Sequence, residues 1–172
     1  MSSKDQSLSA QDLSSIPSAE GYKIHVVVSE WNSKITSALL KGALDTLEKL
    51  KVSTKGDCEV VHVPGTFELP MAAKTLIKAK QSDAVICFGC VIKGETDHDK
   101  YINQSVAIAL NQLAVMTDKP IIFGVLTVNN MEQALDRAGG QHGNKGIEAA
   151  VTAVKMVHLQ KGICESPKAI GF

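Results

Sequence analysis

The sequence predicts an α/β fold: a three-layer α/β/α sandwich whose middle layer is a four-stranded parallel sheet of the doubly wound kind. Three observations carry this. Four short, β-branched apolar runs alternate with helical patterns from Tyr22 onward. The runs are apolar nearly throughout, as expected of strands buried on both faces. No hairpin signal joins one run to the next, so the connections are crossover helices, and right-handed crossovers place helices on both faces of the sheet.

Lys23–Ser29 (KIHVVVS) is the first strand, with His25 alternating into it as a packed or hydrogen-bonded side chain. Asn32 or Ser33 caps the next helix, in which Ile35, Leu39, Leu40, Ala43, Leu44, Leu47 and Leu50 recur at helical spacing. Asp57–Val63 is the second strand, closed by Pro64-Gly65. Pro70 suits a helix's first turn, and Met71 to Ala79 continue it with Leu76 and Ile77 inward. Ala84–Val91 (AVICFGCV) is the third strand. Thr96 or Asp97 caps a long helix from His98 to Met116, and Pro120–Leu126 (PIIFGVL) is the fourth strand. Asn129 or Asn130 caps a short helix ending near Gly139-Gly140, and a last helix runs from Lys145 to Lys161. Ligands in such sheets bind outside the carboxyl ends of the strands, which singles out the loops 29–33, 63–70, 91–98 and 126–131.

The length of 172 residues fits one domain, over residues 22–172, preceded by a serine-rich segment, 1–21, expected to be a flexible arm that could pair with a neighbouring subunit's sheet edge. Eighteen cations balance eighteen anions, which argues against a nucleic-acid binder, since affinity for a phosphate backbone needs surplus basic charge. No run of eighteen apolar residues is present, so no membrane span is expected. Four cysteines without a secretory signal point to reduced thiols and a cytoplasmic location. Within the neutral balance, seventeen of the eighteen cations are lysine and the one arginine is Arg137. A guanidinium grips phosphate with a planar fork that an ammonium lacks.

Each candidate for chemistry has a plainer alternative. The loop Ile92-Lys93-Gly94-Glu95-Thr96-Asp97-His98 puts a hydroxyl and an imidazole at a helix N-terminus, where free amides favour an anion. Equally, Thr96 and Asp97 are ordinary caps and His98 a surface residue. Val63–Pro70 is a rigid turn with one carboxylate, Glu68, suited to hydroxyl and amide groups, or a simple strand-to-helix connection. Trp31 follows the first strand, where it stacks on a flat heterocycle or serves packing. Cys87 and Cys90 have C-x-x-C spacing but lie inside a strand, so they read as structural rather than redox or zinc thiols. Arg137, near a helix end, suits the dipole there.

Taken together, VPGTFELP (63–70), GCVIKGETDHD (89–99), PIIFGVLT (120–127) and EQALDRAGGQHGNKG (132–146) resemble the lumazine synthase family over Lys23 to Leu159. That resemblance implies a flavodoxin-like fold and a transferase of riboflavin biosynthesis. The implied reaction condenses 5-amino-6-(D-ribitylamino)uracil with 3,4-dihydroxy-2-butanone 4-phosphate to 6,7-dimethyl-8-ribityllumazine, releasing phosphate and water. It implies no metal and no organic cofactor. It implies that Trp31 stacks on the pyrimidine, that Thr66, Phe67 and Glu68 line the ribityl chain, and that Cys90, Val91 and Ile92 offer backbone groups to the pyrimidine edge. Glu95 and Thr96 would present amides to the phosphate, and His98 would transfer protons. Phe123, Arg137 and Lys145 match positions that the family supplies from the adjacent subunit, Arg137 toward phosphate and Lys145 toward the pyrimidine.

The same resemblance implies a homo-pentamer with active sites between adjacent subunits. The short Gly139–Gly146 connection is similar to that of members whose twelve pentamers close into an icosahedral shell of sixty subunits. Riboflavin synthase is the implied pathway partner. Two readings compete with the enzyme: a flavin- or nucleotide-binding module without catalysis, and an architectural shell protein that has lost its site. The spread of polar groups over several loops disfavours the first. The suitable chemistry at every expected catalytic position disfavours the second.

Overall fold

The computed structural model describes residues 12–53 and 56–165. Four parallel strands, β1 (Ile24–Ser29), β2 (Val60–Val63), β3 (Ala84–Ile92) and β4 (Ile121–Val128), form one sheet in the order β2-β1-β3-β4. Among the described residues five α-helices surround it: α1 (Ser33–Lys49), α2 (Leu69–Lys80), α3 (His98–Thr117), α4 (Met131–Arg137) and α5 (Lys145–Glu165).

The alternation of side chains along the strands divides the core in two. Ile24, Val26 and Val28 of β1, with Ile86 and Phe88 of β3, pack under α1 and α5. Val27, Val85 and Cys87 face the other way, toward Leu69, Ala73 and Leu76 of α2 and Val106, Leu110 and Leu113 of α3. Every residue of β1 is buried, which explains why its sequence shows no polar alternation. Among the described residues no helix is long and apolar enough to cross a membrane.

Three expectations change. The second strand, expected from Asp57, is regular only from Val60. Its approach still pairs, because the Asp57 and Glu59 carbonyls accept from the Ile24 and Val26 amides at 3.0 and 2.9 Å. The short helix expected to end near Gly139-Gly140 stops at Arg137, and the connection after it holds β5 (Ala138–Gly140) and β6 (Gly143–Asn144), a small antiparallel hairpin. The arm expected over residues 1–21 is packed from Asp12 on. Asp12 caps a 3₁₀ turn over Leu13–Ser15, and the Ser14 hydroxyl and amide hold its carboxyl below the usual range. Ile16 and Ala19 are buried, and the Ala19 amide donates to the Leu50 carbonyl at 2.8 Å. Two apolar residues and one backbone bond thus fasten a segment whose serine content reads as loose. Residues 1–11, and any strand they add to a neighbour, lie outside the described residues.

His25 is packed and half satisfied. Its Nδ1 accepts from the Glu59 amide at 2.8 Å, while Nε2 is buried and has no partner among the described residues. Burial holds its pKa below the ordinary imidazole value, and it stands on β1 among the core strands.

Candidate active site

A cleft of about 560 Å³ opens at the carboxyl ends of β1, β2 and β3, within the range of small-molecule sites. Each wall comes from one strand's exit. After β1, Trp31 is 73% exposed and Asn32 follows it into the cleft. After β2 the chain makes a 3₁₀ turn over Thr66–Glu68. Thr66 is buried because β3 carries glycine opposite it: a Cβ on Gly89 would lie 2.7 Å from the Thr66 hydroxyl. Phe67 is 60% exposed, and the Glu68 carboxylate accepts from the Gly65 amide at 2.9 Å while lining the cleft. Glu68 therefore fastens its own turn as well as facing the site. From β3, Cys90, Val91 and Ile92 line the floor, and Thr96, His98 and Asp99 complete the wall at the start of α3.

The ends of these strands are tied across their backbones. The Glu30 and Trp31 amides donate to the Val63 and Pro64 carbonyls at 2.8 and 3.2 Å. The Thr36 hydroxyl, in the first turn of α1, donates to the Ser29 carbonyl at 2.9 Å. At α3 the expected cap is absent. Asp97 holds the N-cap position without a side-chain bond to an amide, and its carboxylate pairs with Lys100 at 2.7 Å instead. Glu95 is exposed and does not line the cleft.

The two spaced cysteines do no redox or metal chemistry together. Three residues apart on a strand, they face opposite sides of the sheet, Cys87 toward α2 and α3 and Cys90 toward α1 and α5. Burial raises the Cys87 thiol to about 12 and the Cys90 thiol to about 11, so both stay protonated.

Phe123, Arg137 and Lys145 are gathered elsewhere, at the free edge of the sheet. A smaller cleft of about 210 Å³ between β4 and α5 is lined by Phe123, Lys145 and Glu148. The Glu148 carboxylate binds Lys145 at 2.9 Å through one oxygen and lies 3.6 Å from the Arg137 guanidinium through the other. Arg137 also donates to the His142 carbonyl at 3.2 Å, across the hairpin. Its side chain is only 17% exposed, so it is no solvated helix terminus. The two clefts share no residue.

The sequence reading missed Asn32 and Asp99 as cleft residues and Glu148 as the anion between two cations. Asn32 reads as a routine helix cap. Asp99 was visible only as a neighbour of His98, and the i, i+3 spacing from Lys145 to Glu148 was the one available signal for the last.

A parallel α/β sheet with a polar, aromatic-walled cleft outside its strand ends, and an imidazole in that cleft, defines a small-molecule enzyme of the open-sheet class. The family profile of 6,7-dimethyl-8-ribityllumazine synthase matches residues 21–161. The 6,7-dimethyl-8-ribityllumazine synthase of Parabacteroides distasonis is 49% identical over 159 residues, covering 92% of this chain and 99% of that protein. Those of Porphyromonas gingivalis and Cytophaga hutchinsonii are each 48% identical, over 161 and 157 residues, covering 94% and 91% of this chain and 99% and 98% of theirs. The chain belongs to the 6,7-dimethyl-8-ribityllumazine synthase family.

Proposed function

We propose that the chain condenses 5-amino-6-(D-ribitylamino)uracil with 3,4-dihydroxy-2-butanone 4-phosphate, in a site completed by a neighbouring copy of itself. The observation that carries the shared site is the charge of the larger cleft. Among the described residues its wall holds His98, Glu68 and Asp99 but no lysine or arginine, while Lys145 lines the smaller cleft and Arg137 lies beside it, across Glu148. A phosphorylated substrate calls for a fixed cation. Setting the β4–α5 edge of one subunit over the larger cleft of the next supplies it.

In this arrangement Trp31 stacks on the pyrimidine, with Phe123 of the neighbouring copy closing over it. Backbone groups of Cys90, Val91 and Ile92 meet the ring edge, as Lys145 does from across the interface. Thr66, Phe67 and Glu68 line the ribityl chain. The phosphate rests on the Thr96 side of the uncapped α3 N-terminus, where the dipole favours an anion, with Arg137 opposite. Glu95 is exposed and its side chain is given no part, only its amide. The primary amine attacks the ketone and water leaves to give an imine, phosphate is then eliminated, and the ring closes with loss of a second water. His98 moves the protons. These steps are accessible without strong activation, so holding two substrates in line contributes most. Purified protein mixed with both substrates produces lumazine absorbance and free phosphate. Formation no faster than in a protein-free control overturns the reading.

Lysine at position 137 keeps the charge and loses the fork. Arg137→Lys raises KM for the butanone phosphate by about tenfold and leaves KM for the pyrimidine within about twofold. An unchanged KM for the phosphate substrate contradicts the role given to Arg137.

The assembly we propose is a pentamer, twelve of which close into a shell, with riboflavin synthase as the consumer of its product. Its support is the short connection between α4 and α5 and the apolar side chains that α3 exposes, Tyr101, Ile108 and Val115, seven residues apart on one face. Light scattering gives a particle of about 1.1 MDa, sixty chains of 18.3 kDa. A particle of about 90 kDa, five chains of 18.3 kDa, contradicts the shell.

A further inference from the structure

Among the described residues, four other than glycine have positive φ: Asn32, Lys51, Gln81 and Asp118. Gln81 and Asp118 terminate α2 and α3, and Lys51 follows α1, where a left-handed residue is a normal way to end a helix. Asn32 differs. It stands at the N-cap of α1 with φ 56° and ψ 43°, where extended backbone is the norm, and its side chain makes no cap bond. Its carbonyl still accepts from the third and fourth helical amides, those of Ile35 and Thr36, at 2.8 and 3.1 Å. The left-handed turn swings its amide group away from the helix, and Nδ2 donates to the Cys90 carbonyl at 2.8 Å.

From these contacts we infer that Asn32 is a positioning residue, which locks the Trp31 platform to the Cys90 end of β3 and so sets the gap that receives a flat heterocycle. Within a single copy Trp31 is mostly exposed, so its own chain holds the ring chiefly through its backbone. One side of that backbone is fixed by the Glu30 and Trp31 amides on β2, the other by Asn32 on β3. The Asn32 bond also occupies one lone-pair direction of the Cys90 carbonyl, which leaves the other aimed for a donor on the ligand. Asparagine meets both demands, since it tolerates left-handed backbone better than other side-chain-bearing residues and carries a donor.

This inference rests on the assignment of the larger cleft as the pyrimidine site, and its test separates the two. Trp31 is the only tryptophan, so its emission and fluorescence anisotropy report its position without any ligand. Asn32→Asp keeps the backbone preference and replaces the donor with a carboxylate facing a carbonyl. Asn32→Gly keeps the backbone freedom and removes the side chain, and serves if the first variant folds poorly. In either folded variant, Trp31 anisotropy falls in the free protein. KM for the ribitylaminouracil rises about tenfold, kcat changes less than about threefold, and KM for the butanone phosphate stays within about twofold. Unchanged Trp31 anisotropy, or an unchanged pyrimidine KM, overturns the tether. Wild-type protein that forms no lumazine rejects the assigned reaction instead, and the anisotropy of the free variants then still decides whether Asn32 fixes Trp31.

Discussion

Alanine at position 98 is expected to slow turnover by about a hundredfold, toward the lower end of what one general acid–base group contributes, while both KM values stay within about threefold. His98 is the first residue of α3, exposed and lining the larger cleft. In the proposed reaction its ring moves protons at the amine and the carbonyl but is not needed to seat either substrate. The larger part of the rate is assigned in that proposal to orientation, which this substitution leaves in place. Steady-state kinetics with each substrate varied in turn makes the check. Wild-type turnover with normal binding removes His98 from the mechanism. A fall to the protein-free rate shows that orientation contributes far less than the account requires.

Gly146→Ala is expected to lower stability by about 3 kcal/mol, the upper part of the range for an overpacked core, and to lower Tm by roughly 10 °C. A Cβ there would run into the Leu39 carbonyl, 2.7 Å from its carbon, and lie 2.9 Å from the Asn144 amide oxygen. Neither neighbour can yield easily. Leu39 is in the middle of α1, fully buried, and Asn144 is held on three sides. Its amide donates to the Ala38 and Ala138 carbonyls at 3.0 and 3.4 Å, and its oxygen accepts from the Gly146 amide at 2.7 Å. Because Lys145 and Glu148 sit in the same first turn of α5, activity falls with the packing. Thermal unfolding is the measurement, with Gly162→Ala as the comparison, since a Cβ there meets nothing within 4 Å. Equal Tm values for the two variants would show that α1 and α5 have room to separate.

The sequence made the buried strands plain because β1 and β3 are covered on both sides and so carry continuous apolar runs. It was weaker where backbone rather than side chains does the work. The hairpin of β5 and β6 has glycine at three of its five strand positions, with no alternation to read, and it is fastened by the Asn144 side chain. Asn32 has the composition of a cap, and only its left-handed backbone shows that its amide turns to β3 instead. Arg137 looks solvated from its place at the end of α4, yet the hairpin carbonyl of His142 and the carboxylate of Glu148 enclose it. The larger cleft was legible loop by loop, since each lining loop follows a strand end, but not at Asn32, Asp99 or Glu95. Its lack of a cation was not, because sequence does not say which loops share a wall.

The shared site is tested most directly by mixing two disabled proteins. On the proposed roles, His98→Ala impairs the larger cleft and Arg137→Ala the edge that bears the smaller one. If each site takes one cleft from each of two neighbouring copies, co-assembly of equal amounts leaves about a quarter of the sites with both clefts intact. The mixture, unfolded and refolded together, then recovers about 25% of wild-type activity, while each variant refolded alone stays near its own low level. A mixture no more active than the average of the two variants would contradict a site built between copies.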